Sequence, residues 1–246
     1  MSRCCACGQA LYPAQVCGIS AESDTVKRLR LSVHPDFSFK AGQCGDGRGF
    51  SMCSSPGLLQ REGVIELAIK YTKHPPAHWV HTQCSLGSRV ALRVGGDFFF
   101  DPAPSGPVLE LLLLAGGVGI NPLYSILLHA ADLLREGRGI KSAHICYSAK
   151  DAQQLLFKSS ILDMVSEFPE SLSCQFHVTQ QSAEVEARLQ PLTIRGRIST
   201  QQLQTHVRPQ STLCYLCGPP PMIEALSHTL SGLGLPADRI LFEKWW

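Results

Sequence analysis

What this 246-residue chain has little of narrows its function first. It has almost no charge imbalance: 22 basic residues against 20 acidic ones leave +2 at neutral pH, and no basic block stands out. Nucleic acid and anionic membrane surfaces are thereby disfavoured as main partners. Long apolar runs are missing too. The longest stretch, Val108 to Ala115, is broken by Glu110 and is far too short to span a bilayer. There is no internal repeat, no low-complexity tract and no secretory-type apolar segment. The eleven cysteines, spread along such a chain, do not read as a disulfide framework and point to a reducing compartment. The first 21 residues hold no acid and one base, Arg3, without the arginine-rich amphipathic pattern of a mitochondrial presequence. Residues 1–15 are expected as a flexible tail.

Metal chemistry finds little support. Cys4, Cys5 and Cys7 form a cluster that suits a metal, but no second pair stands at zinc-ligand spacing, and ferredoxin-type spacing is absent. Cys214 and Cys217 form a CxxC in which strand alternation accounts for Cys214, while Cys217 belongs to a glycine motif. His74, His78 and His81 are spaced i, i+4 and i+7; without a nearby acid pattern, a solvent-facing or pocket-lining role is preferred to a metal face.

What the chain does have is a pair of glycine motifs, LLLLAGGVGINPL at 111–123 and CYLCGPPPM at 214–222. The run from Leu111 to Ala115 suits a parallel strand covered on both faces, and Gly116, Gly117 and Gly119 then remove side chains where the backbone must turn. Helical spacing resumes at Pro122, with Leu123, Ile126, Leu127 and Ala130. That arrangement aims backbone N–H groups and the positive end of a helix at one spot, which suits a phosphate. The second motif repeats the logic: an apolar run, a Cys-Gly step, three prolines and a helix from Met222. A glycine-rich turn is also a common device for tight strand-to-helix packing, and both readings stand for either motif alone.

The two halves differ in pattern. Val26 to Val33, Val64 to Tyr71 and Arg89 to Val94 are short and strand-like, as in an antiparallel β-barrel. After the DPAPSGP segment at 101–107, strands such as Ala143 to Tyr147 alternate with helical stretches at 123–136, 155–168 and 223–233. The expectation is an α+β two-domain chain, with a β-barrel over 16–105 followed by a doubly wound α/β domain over 106–246.

A β domain, an α/β domain bearing AGGVGINPL and CGPPPM, and a carboxyl-terminal aromatic together resemble the ferredoxin–NADP reductase and cytochrome b5 reductase superfamily, from about residue 16 to the end. The resemblance implies an oxidoreductase that passes a hydride from NAD(P)H to FAD and electrons to an acceptor, which the sequence does not identify and for which a protein is one candidate. It places Arg48, Phe50, Ser51, Met52 and Ser54, in RGFSMCSSP, at the flavin: Arg48 on the pyrophosphate, Phe50 on the isoalloxazine and Ser51 near N5. A guanidinium and an aromatic face suit those tasks. Phe50 and Met52 also fit as alternating core residues of an ordinary strand. Gly116, Gly117, Val118, Gly119, Ile120 and Asn121 are expected around the dinucleotide pyrophosphate, Cys217, Gly218 and Pro219 beside the nicotinamide, and Trp246 near the flavin, with Ser51 and Cys217 the catalytic candidates. Asp151 favours a free 2′-hydroxyl and Lys150 a 2′-phosphate, so these two cancel; the resemblance tips the expectation to NADH. It also suggests a mitochondrial location, with the cytoplasm as the alternative.

Two departures accompany the resemblance. The family places roughly a dozen residues between its Gly-Gln and its Arg motif; here Cys44-Gly45-Asp46-Gly47 alone separate Gln43 from Arg48, too few for a strand and a turn. The family's second flavin-phosphate signature is unmatched at HPPAHWVH, where Pro75 and His78 stand at the key positions. The expectation is a flavin-dependent oxidoreductase with a shortened flavin domain; the alternative is a nucleotide-binding protein with impaired or lost FAD binding that acts through a partner.

Overall fold

The computed structural model describes residues 10–45, 49–103 and 106–244. The first half contains β1 (Tyr12–Ser23), β2 (Val26–Val33), β3 (Cys44–Gly45), α1 (Pro56–Glu62), β4 (Val64–Lys70), α2 (Pro75–Thr82), β5 (Arg89–Leu92) and β6 (Val94–Gly95). β4, β2, β1 and β5 form an antiparallel sheet in that order, and β3 pairs with β6 separately. Period-two alternation decides the faces. Leu29 and Leu31 of β2 join Ile65, Leu67 and Ile69 of β4 in one core with Val16, Phe37 and Met52. Ala68 of β4 points the other way, into a core shared with the second half.

Three parts of this half differ from expectation. β1 starts at Tyr12, inside the segment expected as a tail, because Tyr12–Gln15 pair with Arg89–Leu92 and so satisfy their backbone groups. Among the described residues the barrel does not close. One rim is linked only by isolated bridges, Met52 to Leu67 and Cys44 to Ser51, and by the two-residue β3. An apolar cavity of about 420 Å³ adjoins these bridges, walled by Phe37, Phe50, Met52, Ile65, Leu67 and Val94, among others.

The second half runs β7 (Leu109–Gly116), α3 (Ile120–Arg135), β8 (Ile140–Ala149), α4 (Lys158–Glu167), β9 (Leu172–Val178), β10 (Thr193–Arg195), α5 (Thr200–Gln204), β11 (Thr212–Gly218), α6 (Pro220–Gly232) and β12 (Ile240–Lys244). The sheet is parallel with order β10-β9-β8-β7-β11-β12. β7 sits between β8 and β11, so its residues are buried on both faces: Leu111, Leu113 and Ala115 in one core, Leu112 and Leu114 in the other. That double burial explains why the run is continuous rather than alternating. Both helices after the glycine motifs begin two residues earlier than expected, α3 at Ile120 and α6 at Pro220.

The halves are joined by polar bonds as well as by shared core. The Asn121 amide donates to the Ala68 carbonyl at 2.7 Å, and Tyr215 donates to the Phe99 carbonyl at 2.9 Å. Ser125 donates to the Ser54 carbonyl at 2.6 Å and accepts from the Gly42 N–H at 3.3 Å. Among the described residues no helix is long and apolar enough to cross a membrane.

Candidate functional site

Strand order reverses at β7: the chain proceeds from β7 through β8 and β9 to β10 on one side, then crosses to β11 and β12 on the other. At such a point the connections leave the strand ends toward opposite faces of the sheet, and ligands of open α/β sheets bind in the resulting crevice. A cavity of about 480 Å³ lies there. Gly116, Gly117 and Val118 line it from β7, Ser148 to Lys150 from β8, and Pro219, Pro221, Met222, Ala225 and Leu226 from the second motif. Ser23, Thr25, Val26 and Lys70 of the β domain also border it.

The glycines divide into two roles. Gly117 has φ +55 with open space where a Cβ would project, so it turns the chain and leaves room for a ligand. Gly119 and Gly218 serve backbone-to-backbone packing: a Cβ on Gly119 would strike the Cys217 carbonyl, and one on Gly218 would lie 3.1 Å from the Gly116 Cα. Gly116 belongs to both groups, since its Cβ would meet Met222 Sδ at 2.5 Å. Side-chain-free contact is what brings the two motifs together.

The two helix ends are not equivalent. No side chain caps α3, whose first turn follows Gly117–Gly119, so its opening N–H groups and positive dipole end suit an anion. Pro220 and Pro221 remove two donors from α6, and the N–H groups of Met222 and Ile223 bond to the Pro219 carbonyl. The second motif therefore supplies an apolar wall and not a second phosphate cradle, a correction to the sequence reading.

Other site candidates also move. Ile120 is fully buried and its N–H bonds to the carbonyls of Gly117 and Val118, while the Asn121 amide N–H donates to Ala68 and its Oδ1 is buried without a partner; neither residue lines the cavity. Cys217 is buried beneath it, Cα-paired with Glu243 of β12. Phe50 and Met52 point into the barrel interior, as period two demands once Met52 bridges Leu67, and the partly buried Phe50 ring walls the apolar cavity there. Ser54 is buried and its hydroxyl accepts from the Glu66 N–H at 3.0 Å. Arg48, Trp246 and the Cys4, Cys5 and Cys7 cluster lie outside the described residues. In α2, His81 Nε2 lies 2.9 Å from the Ile69 carbonyl and the His78 ring packs on Tyr71; no metal-holding group occurs among the described residues.

Ser51 is fully buried with no partner for its hydroxyl. Its bridge partner Cys44 donates to Glu243 Oε1 at 3.7 Å, and Glu243 Oε2 is likewise buried and unpartnered. Burial raises the Glu243 carboxyl above the usual range, which favours its protonated form. The sequence reading did not single out Glu243, nor the cavity residues Lys70, Thr179 and Arg197.

FAD, which this fold implies, is not matched by a complete site among the described residues. Phe50 faces the barrel core, Pro75 and Pro76 remove two N–H donors from the start of α2, and Ser51 is sealed from solvent. Among the described residues, Ser51 Oγ and Glu243 Oε2 are buried there without a hydrogen-bond partner.

Comparison with known proteins agrees with the α/β half in particular. The family model described as oxidoreductase NAD-binding domain matches residues 113–228. Oxidoreductase NAD-binding domain-containing protein 1 of Danio rerio is 64% identical over 249 residues, covering 96% of this chain and 92% of that protein. Among solved structures, a ferredoxin NADP+ reductase from Neisseria gonorrhoeae with bound FAD and NADP superposes with a TM-score of 0.74 at 18% identity, over 96% of this chain and 99% of that one. The cytochrome b5 reductase domain of Ulva prolifera nitrate reductase gives a TM-score of 0.75 at 16% identity, over 95% and 97%. At such identities these two establish a shared fold alone.

Proposed function

The chain belongs to the family of oxidoreductase NAD-binding domain-containing protein 1, and from that premise we propose an NAD(P)H-dependent oxidoreductase that seats its dinucleotide in the crevice between β7 and β11. One observation carries the proposal: both glycine motifs meet at the walls of a single cavity at the topological switch point, beside an uncapped helix start. Gly117 gives the pyrophosphate close access to the backbone, α3 supplies the positive end, and Met222, Ala225 and Leu226 supply apolar surface. The β domain contributes the opposite wall through Thr25, Val26 and Lys70. With Phe50 in the barrel wall and Ser51 buried, FAD is read as a group this chain does not hold firmly, and the electron acceptor, for which a partner protein is one candidate, is supplied from outside.

A second reading, a flavoenzyme with resident FAD, is favoured by the buried, partnerless Ser51 Oγ and Glu243 Oε2. One experiment separates the two. The full chain is incubated with FAD, desalted, and its visible spectrum recorded; NADH and NADPH are then titrated anaerobically by fluorescence. A colourless protein that binds a reduced dinucleotide is the expected result. Stoichiometric flavin that bleaches on NADH addition would establish the second reading, and no dinucleotide binding would overturn the first.

A further inference from the structure

The cavity's charge is one-sided. Lys70, Lys150 and Arg197 line it and no aspartate or glutamate does. Among the described residues none of these three side chains takes part in an ion pair, although most other basic side chains near carboxylates do so. A crevice whose only charged lining residues are cations favours an anionic ligand over a neutral or cationic one, and all three side chains are exposed and so free to reach it.

Position within the crevice says which part of the ligand the cations meet. The pyrophosphate seat is at Gly116 to Val118, at the end of β7. Lys150 follows the end of β8, the adjacent strand, and Arg197 follows β10, at the sheet edge on that same side. Between them Thr179 follows β9, and Ser148 ends its run beside Gly116. Two cations and two hydroxyls therefore stand to one side of the proposed pyrophosphate seat.

The residue that would contradict a cationic pocket is turned away. Asp151 Oδ1 accepts from the N–H groups of Gln153 at 3.0 Å and Gln154 at 3.1 Å, and Oδ2 accepts from Gln154 Nε2 at 2.8 Å. Asp151 thus caps the short turn at Ala152–Gln154 and does not line the cavity. A ribose with a free 2′-hydroxyl calls for an acidic acceptor, whereas a 2′-phosphate calls for Lys or Arg. The balance between Lys150 and Asp151, even in the sequence, is broken by this cap.

We infer that the cavity selects the 2′-phosphorylated dinucleotide, with Lys150 and Arg197 as the residues that read the phosphate. The inference rests on the proposed dinucleotide seat and narrows it to NADPH. The probes are 2′,5′-ADP and 5′-AMP, titrated calorimetrically into the full chain, with NADPH alongside. A preference for 2′,5′-ADP of about tenfold or more is expected from one or two charge-assisted contacts. Lys150→Met and Arg197→Gln each reduce the ratio of 2′,5′-ADP to 5′-AMP affinity severalfold; both positions are exposed, so thermal melts are expected to match the parent. Equal affinity for the two probes would overturn the 2′-phosphate inference and leave the dinucleotide seat standing. Binding of neither probe nor NADPH would overturn the seat itself and the inference with it.

Discussion

The imidazole of His206 lies flat on that of His144, with ring centroids 3.5 Å apart and planes within 8°. His144 Nδ1 is 2.7 Å from Ser173 Oγ, and its Nε2 is buried without a partner. Burial first, then repulsion from His206 and His177, pulls His144 down to about 3 from its ordinary 6.5. Burial likewise pulls His177 down to about 4. Both rings are neutral in the fold at every pH above that range, whereas the unfolded chain takes up protons from about 6.5 downward. Stability is therefore flat above that pH and falls as pH drops toward 4, by up to about 1.4 kcal/mol per pH unit per histidine. Urea midpoints of the parent and of His144→Gln at pH 7.5 and pH 5 test this. The variant is expected to lose less stability on acidification, and equal losses would sink the assignment.

Gly117 and Gly119 differ in what alanine would cost. At Gly117 the added methyl meets open space and only the φ of +55 is penalised, about 1–2 kcal/mol. At Gly119 it collides with the Cys217 carbonyl, which belongs to a central strand and has no room to yield. Gly119→Ala is expected to lower the melting temperature clearly more than Gly117→Ala and to abolish dinucleotide binding. Similar melts for the two variants would refute the division of roles.

Ser125 ties three segments with one hydroxyl. Ser125→Ala strands the buried Ser54 carbonyl and the Gly42 N–H, and a loss of about 1–3 kcal/mol is expected. Ser125→Cys, close in size and a weak donor, is expected to recover part of it. Chemical denaturation of the pair, followed by fluorescence, decides.

Phe157 sits at φ 57, unusual for a side chain of its size, and stacks on Tyr124 with centroids 4.2 Å apart and planes 6° apart. The Arg28 guanidinium lies 5.0 Å from the same ring. Phe157→Ala is expected to lose about 3 kcal/mol of packing while keeping the strained backbone. Phe157→Gly loses the same packing but relaxes the strain, so glycine is expected to be the more stable of the two, by about 1 kcal/mol. Alanine proving more stable would show that the left-handed conformation is not held in solution.

Much of this molecule is legible in its sequence, for identifiable reasons. The run from Leu111 to Ala115 declared a strand buried on both faces, and Gly116 to Gly119 declared the turn after it. β9 was overlooked because Ser173, Gln175 and His177 interrupt its apolar residues, although Leu172, Cys174, Phe176 and Val178 are all buried. Without β9 and β10, Arg197 had no place beside the crevice. The direction of Phe50 was undecidable from sequence, since alternation fixes that it shares a face with Met52 but not which face, and only the bridge to Leu67 chooses. Lys70 and Glu243 are brought to the domain junction by strands distant in sequence, which no local pattern reveals.

The position of β7 has a consequence for how the chain is made. β7 is the first strand of its sheet to leave the ribosome and lies in the sheet's middle, yet one of its flanks is covered only by β11, residues 212–218. Throughout synthesis of the intervening chain, the edge of an almost wholly apolar strand stands bare, and bare apolar edges recruit other chains. A translation pause or truncation anywhere between β8 and β11 would therefore yield a sticky fragment, and the nascent polypeptide is expected to depend on chaperone shielding until its last quarter emerges.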